Sequence, residues 1–388
     1  MKKIFITFLI FIFIYTLYPN KIIANNTDTN NVNLNINSPT AILMEYSSGK
    51  IIYSKEDHKR MYPASMTKMM SMYLLLECIE NKTHSFSDMV TASTYAASMG
   101  GSQIFLKENE RMSFEELFTA VAVASANDAV VALAEHTYGN VEIFIDKMNE
   151  QAKIFGMKNT NFVNTTGFHD KNHYTTAYDM ALLSRNLLIK HKNTLLKYTS
   201  IYETYLRTDT SNPFWLVTTN KLLNSYDGLD GLKTGYTSES GYNLSATANR
   251  DNLRFIAIVM GGETSKSRNT DVTALLNYGF NNFKGVTLYK QNEVIDELMF
   301  TNSKEKSTSI IAKEDVNIVL KRNENIDSLT INIEIFDNSA PKSKENTIGK
   351  ITIKNEDIIL GEYSLYPKED INLLSFWDIL LSYIKIII

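Results

Sequence analysis

The sequence holds little cysteine, proline or glycine, with one Cys, 6 Pro and 16 Gly among 388 residues. The lone cysteine, Cys78, excludes an internal disulfide, and its Met- and Leu-rich neighbours indicate packing in a buried helix. Few prolines and glycines together with 44% hydrophobic residues exclude a collagen-like or disordered chain and predict a globular one. Basic and acidic residues, 39 and 43 in number, are mixed throughout, so no basic face is available for nucleic acid.

The N-terminus has the composition of a targeting segment. Lys2 and Lys3 precede an apolar run, and Ala24 follows a short polar break, which is the order of a secretory signal. We therefore expect residues 1–24 to be a signal peptide and the protein to be exported. A retained or buried helix is the alternative, although about 15 apolar residues are short for a membrane span.

The C-terminus is also apolar. Residues 367–388 include aromatic rings at Trp377 and Tyr383 and few charges towards the end. This pattern favours an anchor lying in the membrane surface over a short span or a packed terminal helix.

The residues between the two ends fall into three parts. Residues 25–38 are rich in Asn and Thr and are expected to form a flexible spacer. Residues 39–285 mix strand hairpins with apolar helices, which are predicted over 65–80 and 114–138. From residue 286 to 366 apolar residues alternate with a period of two, which is typical of a small β domain. The chain is therefore predicted to have an α/β (α+β) fold.

One short motif can supply a nucleophile. In Ser65-Met-Thr-Lys68 the serine and lysine are three residues apart, so on a helix they share a face. A serine needs a neighbouring base, and a lysine serves only when burial or nearby positive charge makes it partly neutral. The same spacing also occurs outside any predicted buried helix, starting at Ser47, Ser303, Ser339 and Ser382.

Two later motifs, Ser125-Ala126-Asn127 and Lys233-Thr234-Gly235, strengthen this reading. In this order the three motifs resemble the set of the β-lactamases and penicillin-binding proteins. The Ser125 hydroxyl is suited to pass a proton to a leaving amine, and the Asn127 amide is suited to hold Lys68 and a substrate carbonyl.

The third motif is suited to bind a carboxylate. Lys233 is expected to attract it and to lower the pKa of Lys68, while Thr234 donates a hydrogen bond to it. Gly235 is expected to let an edge strand approach the substrate peptide closely. The backbone amides of Ser65 and Tyr236 are the expected donors to the developing oxyanion, at about 3 to 4 kcal/mol per donor.

The residues around these motifs resemble the low-molecular-mass penicillin-binding proteins of the D-alanyl-D-alanine carboxypeptidase family. The resemblance runs from about Ser38 to the end of the chain. Its clearest stretches are 62–68, 125–129, 228–237, 241–244 and 259–264.

The resemblance implies a penicillin-binding serine peptidase domain at 39–285, built as an antiparallel sheet with helices on both faces. A small β-sandwich-like domain at 286–366 and a membrane anchor at 367–388 follow. It also implies an enzyme of the cell wall and the outer face of the cytoplasmic membrane, with no cofactor. No oligomeric state is predicted.

The implied activity is removal of the terminal D-alanine from peptidoglycan stem pentapeptides through an acyl-enzyme on Ser65, with β-lactams as covalent inhibitors. Arg268 occupies the place where the family often has an arginine near the substrate carboxylate. Two positions depart from the family pattern, Ala126 where glycine is frequent and Tyr236 where many members have histidine. Because Tyr236 would act through its backbone amide, we expect a changed rate rather than lost activity.

Three alternatives remain open. A transpeptidase or endopeptidase of the same family would differ in what attacks the acyl-enzyme, which the motifs do not settle. A class A β-lactamase would need a Glu-x-x-x-Asn arrangement between the second and third motifs, and the sequence has no clear one. A non-catalytic wall-binding scaffold would have no need of the intact motif residues.

A metal site is not predicted, although histidines lie four residues apart at His169 and His173, with Asp170 and Asp179 near them in sequence. Zinc sites with this spacing need a helix and further ligands. The Gly- and Asn-containing loop here argues against a helix.

Overall fold

The computed structural model of the chain describes residues 32–378. Its central element is a five-stranded antiparallel sheet with the strand order β2-β1-β9-β8-β7, in which β7 is an edge strand. The strands are β1 (Thr40–Glu45), β2 (Ile51–Lys55), β7 (Leu229–Thr237), β8 (Gly241–Arg250) and β9 (Leu253–Gly262). Two short antiparallel pairs lie outside this sheet, β3 (Met89–Thr91) with β4 (Arg111–Ser113) and β5 (Glu203–Leu206) with β6 (Phe214–Val217).

Helices cover both faces of the central sheet, as the fold prediction stated. Alternate residues of β9 enter two separate cores, with Ile256 and Ile258 in one and Phe255 and Ala257 in the other. The helices are α1 (Lys68–Glu80), α2 (Thr94–Ala97), α3 (Phe114–Val123), α4 (Asn127–Tyr138), α5 (Val141–Ile154), α6 (Ala177–Thr199) and α7 (Ser265–Asn282). The first six contribute to the Ile256 core and α7 to the Phe255 core, because side chains alternate across a strand.

The C-terminal part is all β, with a third core of its own. A five-stranded antiparallel sheet has the order β11-β12-β16-β15-β14, and β10 pairs with β13. The strands are β10 (Phe283–Tyr289), β11 (Val294–Met299), β12 (Ser307–Ile311), β13 (Val316–Lys321), β14 (Leu329–Ile335), β15 (Gly349–Asn355) and β16 (Ile358–Pro367). The period-two pattern therefore identified strands, here β13 and β14.

Two predicted helices differ in detail. Ser65 lies on a 3₁₀ turn, Ala64–Thr67, and α1 begins only at Lys68. The single helix predicted over 114–138 is broken between α3 and α4, because Ser125 adopts a left-handed φ of 64°. Neither change could be read from hydrophobic spacing, since the apolar pattern continues through the break.

The predicted signal peptide and most of the predicted anchor, residues 1–31 and 379–388, lie outside the described residues. Among the helices of residues 32–378, none has the length and apolar character that a membrane crossing needs. Close to the end of the described chain, Phe376 and Trp377 are 71% and 68% exposed.

Candidate active site

The amine of Lys68 lies against the hydroxyl of Ser65. Lys68 Nζ is 3.1 Å from Ser65 Oγ and also donates to the Thr166 carbonyl oxygen at 2.7 Å. Lys68 is fully buried, whereas Ser65 is partly exposed and open to a substrate. The 3₁₀ turn continues into α1, so the two side chains fall on one face, as the three-residue spacing predicted.

The environment of Lys68 favours the neutral amine. Burial lowers its pKa well below the usual lysine range, the positive charge of Lys233 lowers it further, and Asp128 partly opposes both. Within residues 32–378 no carboxylate forms a salt bridge with Lys68. A lysine held in this way can accept a proton from a neighbouring hydroxyl.

A glycine lets the loop containing Thr166 pack against the 3₁₀ turn that carries Ser65, called the nucleophile turn below. Gly167 has a φ of +88°, and a Cβ on it would lie 1.8 Å from the Ala64 carbonyl oxygen and 2.9 Å from the Ser65 nitrogen. Only glycine allows this approach. The role of Gly167 was not predicted from the sequence, where its place in a polar Asn- and Thr-rich loop was the available signal.

The second motif lies in the break between α3 and α4. The Ser125 hydroxyl is buried and has no hydrogen-bond partner among residues 32–378, so it remains free for a reacting group. Asn127 begins α4, and its side-chain amide donates to the Gly100 carbonyl oxygen at 2.8 Å. This contact differs from the expected one to Lys68. The buried Asp128 carboxylate accepts from the backbone of Ile104 and thereby fixes the segment that faces Asn127.

The third motif lies inside edge strand β7. Lys233 is 2% exposed, and burial, followed by the charge of Arg268, lowers its pKa to about 7. The Thr234 hydroxyl lies 2.6 Å from the hydroxyl of Thr219, a residue that the sequence analysis did not consider.

Gly235 has a structural role beyond the one predicted. A Cβ here would lie 2.6 Å from the Pro63 carbonyl oxygen and 3.2 Å from the Met66 nitrogen. The glycine therefore allows β7 to pack directly against the turn that carries Ser65.

Arg268, on α7, is 4% exposed, and burial lowers its pKa to about 10. Its guanidinium donates to the backbone oxygen of Asn243 at 3.3 Å and to the side chain of Asn269. Together with Lys233, whose pKa it lowers, Arg268 supplies buried positive charge suited to an anionic ligand. Tyr236, by contrast, is 55% exposed and stacks on Tyr242, with ring centroids 4.3 Å apart.

Asn243 is a further residue whose role was not predicted from the sequence. It is fully buried on β8, pairs with Gly235 across the sheet, and donates to the carbonyl oxygens of Tyr62 and Pro63 at 2.9 and 3.3 Å. Its own oxygen accepts from the backbone of Gly261 at 2.8 Å. An asparagine inside an apolar strand was the signal, because buried amides need hydrogen-bond partners.

The histidines considered for metal binding have other contacts. His173 is buried; its Nδ1 accepts from the Val163 backbone at 3.1 Å, and its Nε2 lies 2.7 Å from the Thr67 hydroxyl. Burial lowers its pKa to about 4. His169 is exposed and stacks edge-on against Tyr62, so the pair is not assembled as ligands.

Comparison with known proteins places this geometry in a family. The family model for D-alanyl-D-alanine carboxypeptidase matches residues 25–264, and that for the C-terminal domain of penicillin-binding protein 5 matches residues 283–373. D-alanyl-D-alanine carboxypeptidase DacF of Bacillus subtilis is 40% identical over 97% of this chain and 96% of its own length.

Solved structures agree. Penicillin-binding protein 5 of Haemophilus influenzae is 32% identical with a TM-score of 0.72, covering 87% of this chain and 98% of that one. Penicillin-binding protein D2 of Listeria monocytogenes, in an ampicillin-bound form, is 32% identical with a TM-score of 0.58, covering 64% of this chain and 100% of that one.

The chain therefore belongs to the D-alanyl-D-alanine carboxypeptidase family of low-molecular-mass penicillin-binding proteins. It is a serine-type hydrolase with D-alanyl-D-alanine carboxypeptidase activity.

Proposed function

We propose that Ser65 is the nucleophile by which this protein removes the terminal D-alanine from peptidoglycan stem pentapeptides. The observation that carries the proposal is the fully buried Lys68 amine, 3.1 Å from Ser65 Oγ and influenced by the charge of Lys233. A neutral amine in that place is a general base for the hydroxyl without any histidine.

The reaction then proceeds through an ester. Ser65 Oγ attacks the carbonyl carbon of the penultimate D-alanine as its proton passes to Lys68 Nζ. The oxyanion accepts hydrogen bonds from the backbone amides of Ser65 and Tyr236. Collapse breaks the peptide bond, the Ser125 hydroxyl gives its proton to the departing amine of D-alanine, and Ser125 in turn takes the proton held by Lys68, which is neutral again. Water finally hydrolyses the ester and restores the Ser65 hydroxyl.

The substrate carboxylate is bound at the β7 end of the site. Lys233 and Arg268 supply positive charge and Thr234 supplies a hydroxyl donor, while the Asn127 amide holds a substrate carbonyl. The supporting observation is that Lys233 and Arg268 are both buried and close enough for Arg268 to lower the pKa of Lys233.

β-Lactams are expected to acylate Ser65 by the same route, since their strained amide presents a carbonyl to the nucleophile. The related Listeria protein has been solved in ampicillin-bound and cefotaxime-bound forms. A β-lactamase is disfavoured because the segment facing Lys68 offers the Thr166 carbonyl oxygen where a water-activating glutamate would be needed.

We further propose that the protein is exported by residues 1–24 and attached to the outer face of the cytoplasmic membrane by residues 367–388. The support is the signal-like N-terminal sequence and the exposed rings of Phe376 and Trp377 beside the apolar C-terminal end. Cell fractionation of the full-length chain against a chain ending at residue 370 tests the anchor, and release of the shortened chain is expected.

The test of the chemistry is mass spectrometry of the full-length protein after incubation with penicillin and with a peptide ending in D-alanyl-D-alanine. We expect a penicilloyl adduct on Ser65 and released D-alanine. Ser65→Ala should abolish both, and Ser339→Ala, which alters another Ser-x-x-Lys serine, should abolish neither. Absence of any adduct with intact antibiotic would support the scaffold, and rapid antibiotic turnover without D-alanine release would support a β-lactamase.

A further inference from the structure

A second cluster of ionisable side chains lies at the far end of α1 from Lys68. It consists of Glu77 and Glu80 on α1 and His191 on α6, with donor atoms all within 4.8 Å of one another. At about 1.5 Å per residue along α1, Glu77 is roughly 14 Å and Glu80 roughly 18 Å from Lys68. The cluster therefore has no part in the chemistry at Ser65.

The imidazole of His191 is poorly satisfied. Its side chain is 0% exposed, and neither its Nε2 nor the nearby Glu77 Oε1 has a hydrogen-bond partner within residues 32–378. The two atoms lie 3.1 Å apart, so they approach each other without the direction that a ring N–H would require. Buried polar atoms without a partner are costly, so this pair calls for a missing group.

The other ring nitrogen is in the arrangement that metal-binding histidines adopt. His191 Nδ1 lies 2.9 Å from Glu80 Oε1, so an Nδ1–H donates to that carboxylate. This hydrogen bond leaves the lone pair of Nε2 free and fixes the orientation of the ring. A carboxylate on the second nitrogen is the usual support of a metal-bound imidazole.

The distance between the two unsatisfied atoms is also close to that of two ligands of a shared ion. Zinc binds imidazole nitrogen and carboxylate oxygen at about 2.0 to 2.2 Å, and two such ligands at the tetrahedral angle lie about 3.3 to 3.5 Å apart, a few tenths of an ångström more than the separation here. The observed separation of His191 Nε2 and Glu77 Oε1 is 3.1 Å. Mixed imidazole and carboxylate donors favour zinc-like transition ions over calcium or magnesium.

We propose that this cluster is a binding site for a zinc-type divalent cation, with His191 Nε2 and the Glu77 carboxylate as ligands and Glu80 orienting the imidazole. The Glu77 side chain is 24% exposed, so the cluster can be reached from solvent. The ion links α1 to α6 at the residue where α6 departs from helical geometry, φ −121° and ψ 15°. Its effect is on stability, not on acyl transfer.

One neighbouring cation competes with the ion. Lys190 Nζ lies 3.6 Å from Glu77 Oε1, but its side chain is 51% exposed and can move into solvent. Removal of this charge should therefore tighten metal binding.

The test is isothermal titration of zinc chloride into the full-length, untagged chain, purified in detergent and treated with a chelator beforehand. We expect one ion per chain and, at about 100 times the dissociation constant, a melting temperature higher by about 5 °C. His191→Gln should weaken zinc binding at least tenfold, and Lys190→Ala should strengthen it. His84→Ala is the control, because His84 follows the end of α1 and lies against His136, with rings 5.1 Å apart, outside the proposed site.

Penicillin acylation of Ser65 reports whether each variant is folded. If His191→Gln fails to acylate, Glu77→Gln, which keeps the side-chain shape, provides the same test. Wild-type protein that shows no zinc binding would overturn the proposal. So would full affinity in a folded His191→Gln or Glu77→Gln protein, or loss of binding in His84→Ala alone.

Discussion

The same Ser-x-x-Lys spacing occurs in two regions of this molecule with opposite results. At the start of α1, Lys68 is fully buried and its amine donates to the Ser65 hydroxyl. In the β part, Lys342 forms a salt bridge to Asp337 at 2.6 Å, and the Ser339 hydroxyl donates to the same carboxylate at 2.6 Å. One lysine is thus buried beside the serine hydroxyl, and the other is held by a carboxylate.

The serine hydroxyls differ in the same way. Ser47 donates to Glu45 at 2.7 Å and Ser303 to the Phe300 carbonyl oxygen at 3.0 Å, while Ser382 lies beyond the described residues. Only at Ser65, among the described copies, does the motif lysine contact the motif serine. The spacing alone does not make a lysine neutral enough to act as a base for the serine. Burial and neighbouring cations do so, and neither can be read from the four-residue motif.

The largest effect should come from replacing Lys68, with the replacement of Lys342 as its control. Lys68→Met removes the base and should lower the rate of penicillin acylation by about 10⁴-fold, the upper range for general-base catalysis. Lys342→Met has the same spacing to a serine and should leave the rate unchanged. The rates are measured by intact mass against time. A Lys68→Met protein within tenfold of wild type would contradict the assignment of the base.

The next largest effect should come from Gly167→Ala. The new Cβ would collide with the Ala64 carbonyl oxygen and push the nucleophile turn away from Lys68, so we expect acylation to slow by about 10³-fold. Gly156→Ala is the matched control, because Gly156 also has a positive φ, +74°, but has nothing within 4 Å of a Cβ.

Both glycine variants carry the strain of a left-handed alanine, about 1 to 2 kcal/mol, which thermal unfolding measures. Equal acylation rates in the two variants would show that the collision at Gly167 does not matter. A slow Gly167→Ala with stability equal to that of Gly156→Ala would isolate the effect at the nucleophile.

The three motifs and several strands followed from the sequence because they depend on local spacing. The sheet hairpin of β8 and β9, the β7 position of Lys233 and the alternation in β13 are of this kind. The fit around Ser65 is different, since Thr166 contacts Lys68 from 98 residues away and Asn243 contacts Tyr62 from 181 residues away. No local pattern reports such contacts, so these roles appeared only in the structure.

Asn243 allows that non-local fit to be tested. Asn243→Ala leaves the carbonyl oxygens of Tyr62 and Pro63 without their donor, which should cost about 1 to 3 kcal/mol of unfolding free energy and slow acylation by about 10²-fold. Asn149→Ala is the control, because Asn149 likewise joins its amide to backbone, at Phe162 and Ile145, away from the nucleophile turn. If both variants lose stability and only Asn243→Ala loses acylation, Asn243 positions Ser65. Equal acylation by both variants would reduce Asn243 to a structural residue.

The smallest effect should come from Arg268, whose buried charge near Lys233 is compared with that of an arginine outside the site. Arg268→Gln removes a positive charge that, after burial, lowers the pKa of Lys233 to about 7. The pKa of Lys233 should therefore rise, so that Lys233 stays charged to higher pH and the alkaline fall of kcat/KM moves upward in pH.

For a peptide ending in D-alanyl-D-alanine, loss of one charged donor should also lower kcat/KM by about tenfold. Arg322→Gln is expected to change neither, because within residues 32–378 the Arg322 guanidinium donates hydrogen bonds only to the Phe280 carbonyl oxygen near the end of α7. An unshifted alkaline limb in Arg268→Gln would mean that Arg268 and Lys233 are not coupled in the working enzyme, and the carboxylate site would then rest on Lys233 and Thr234.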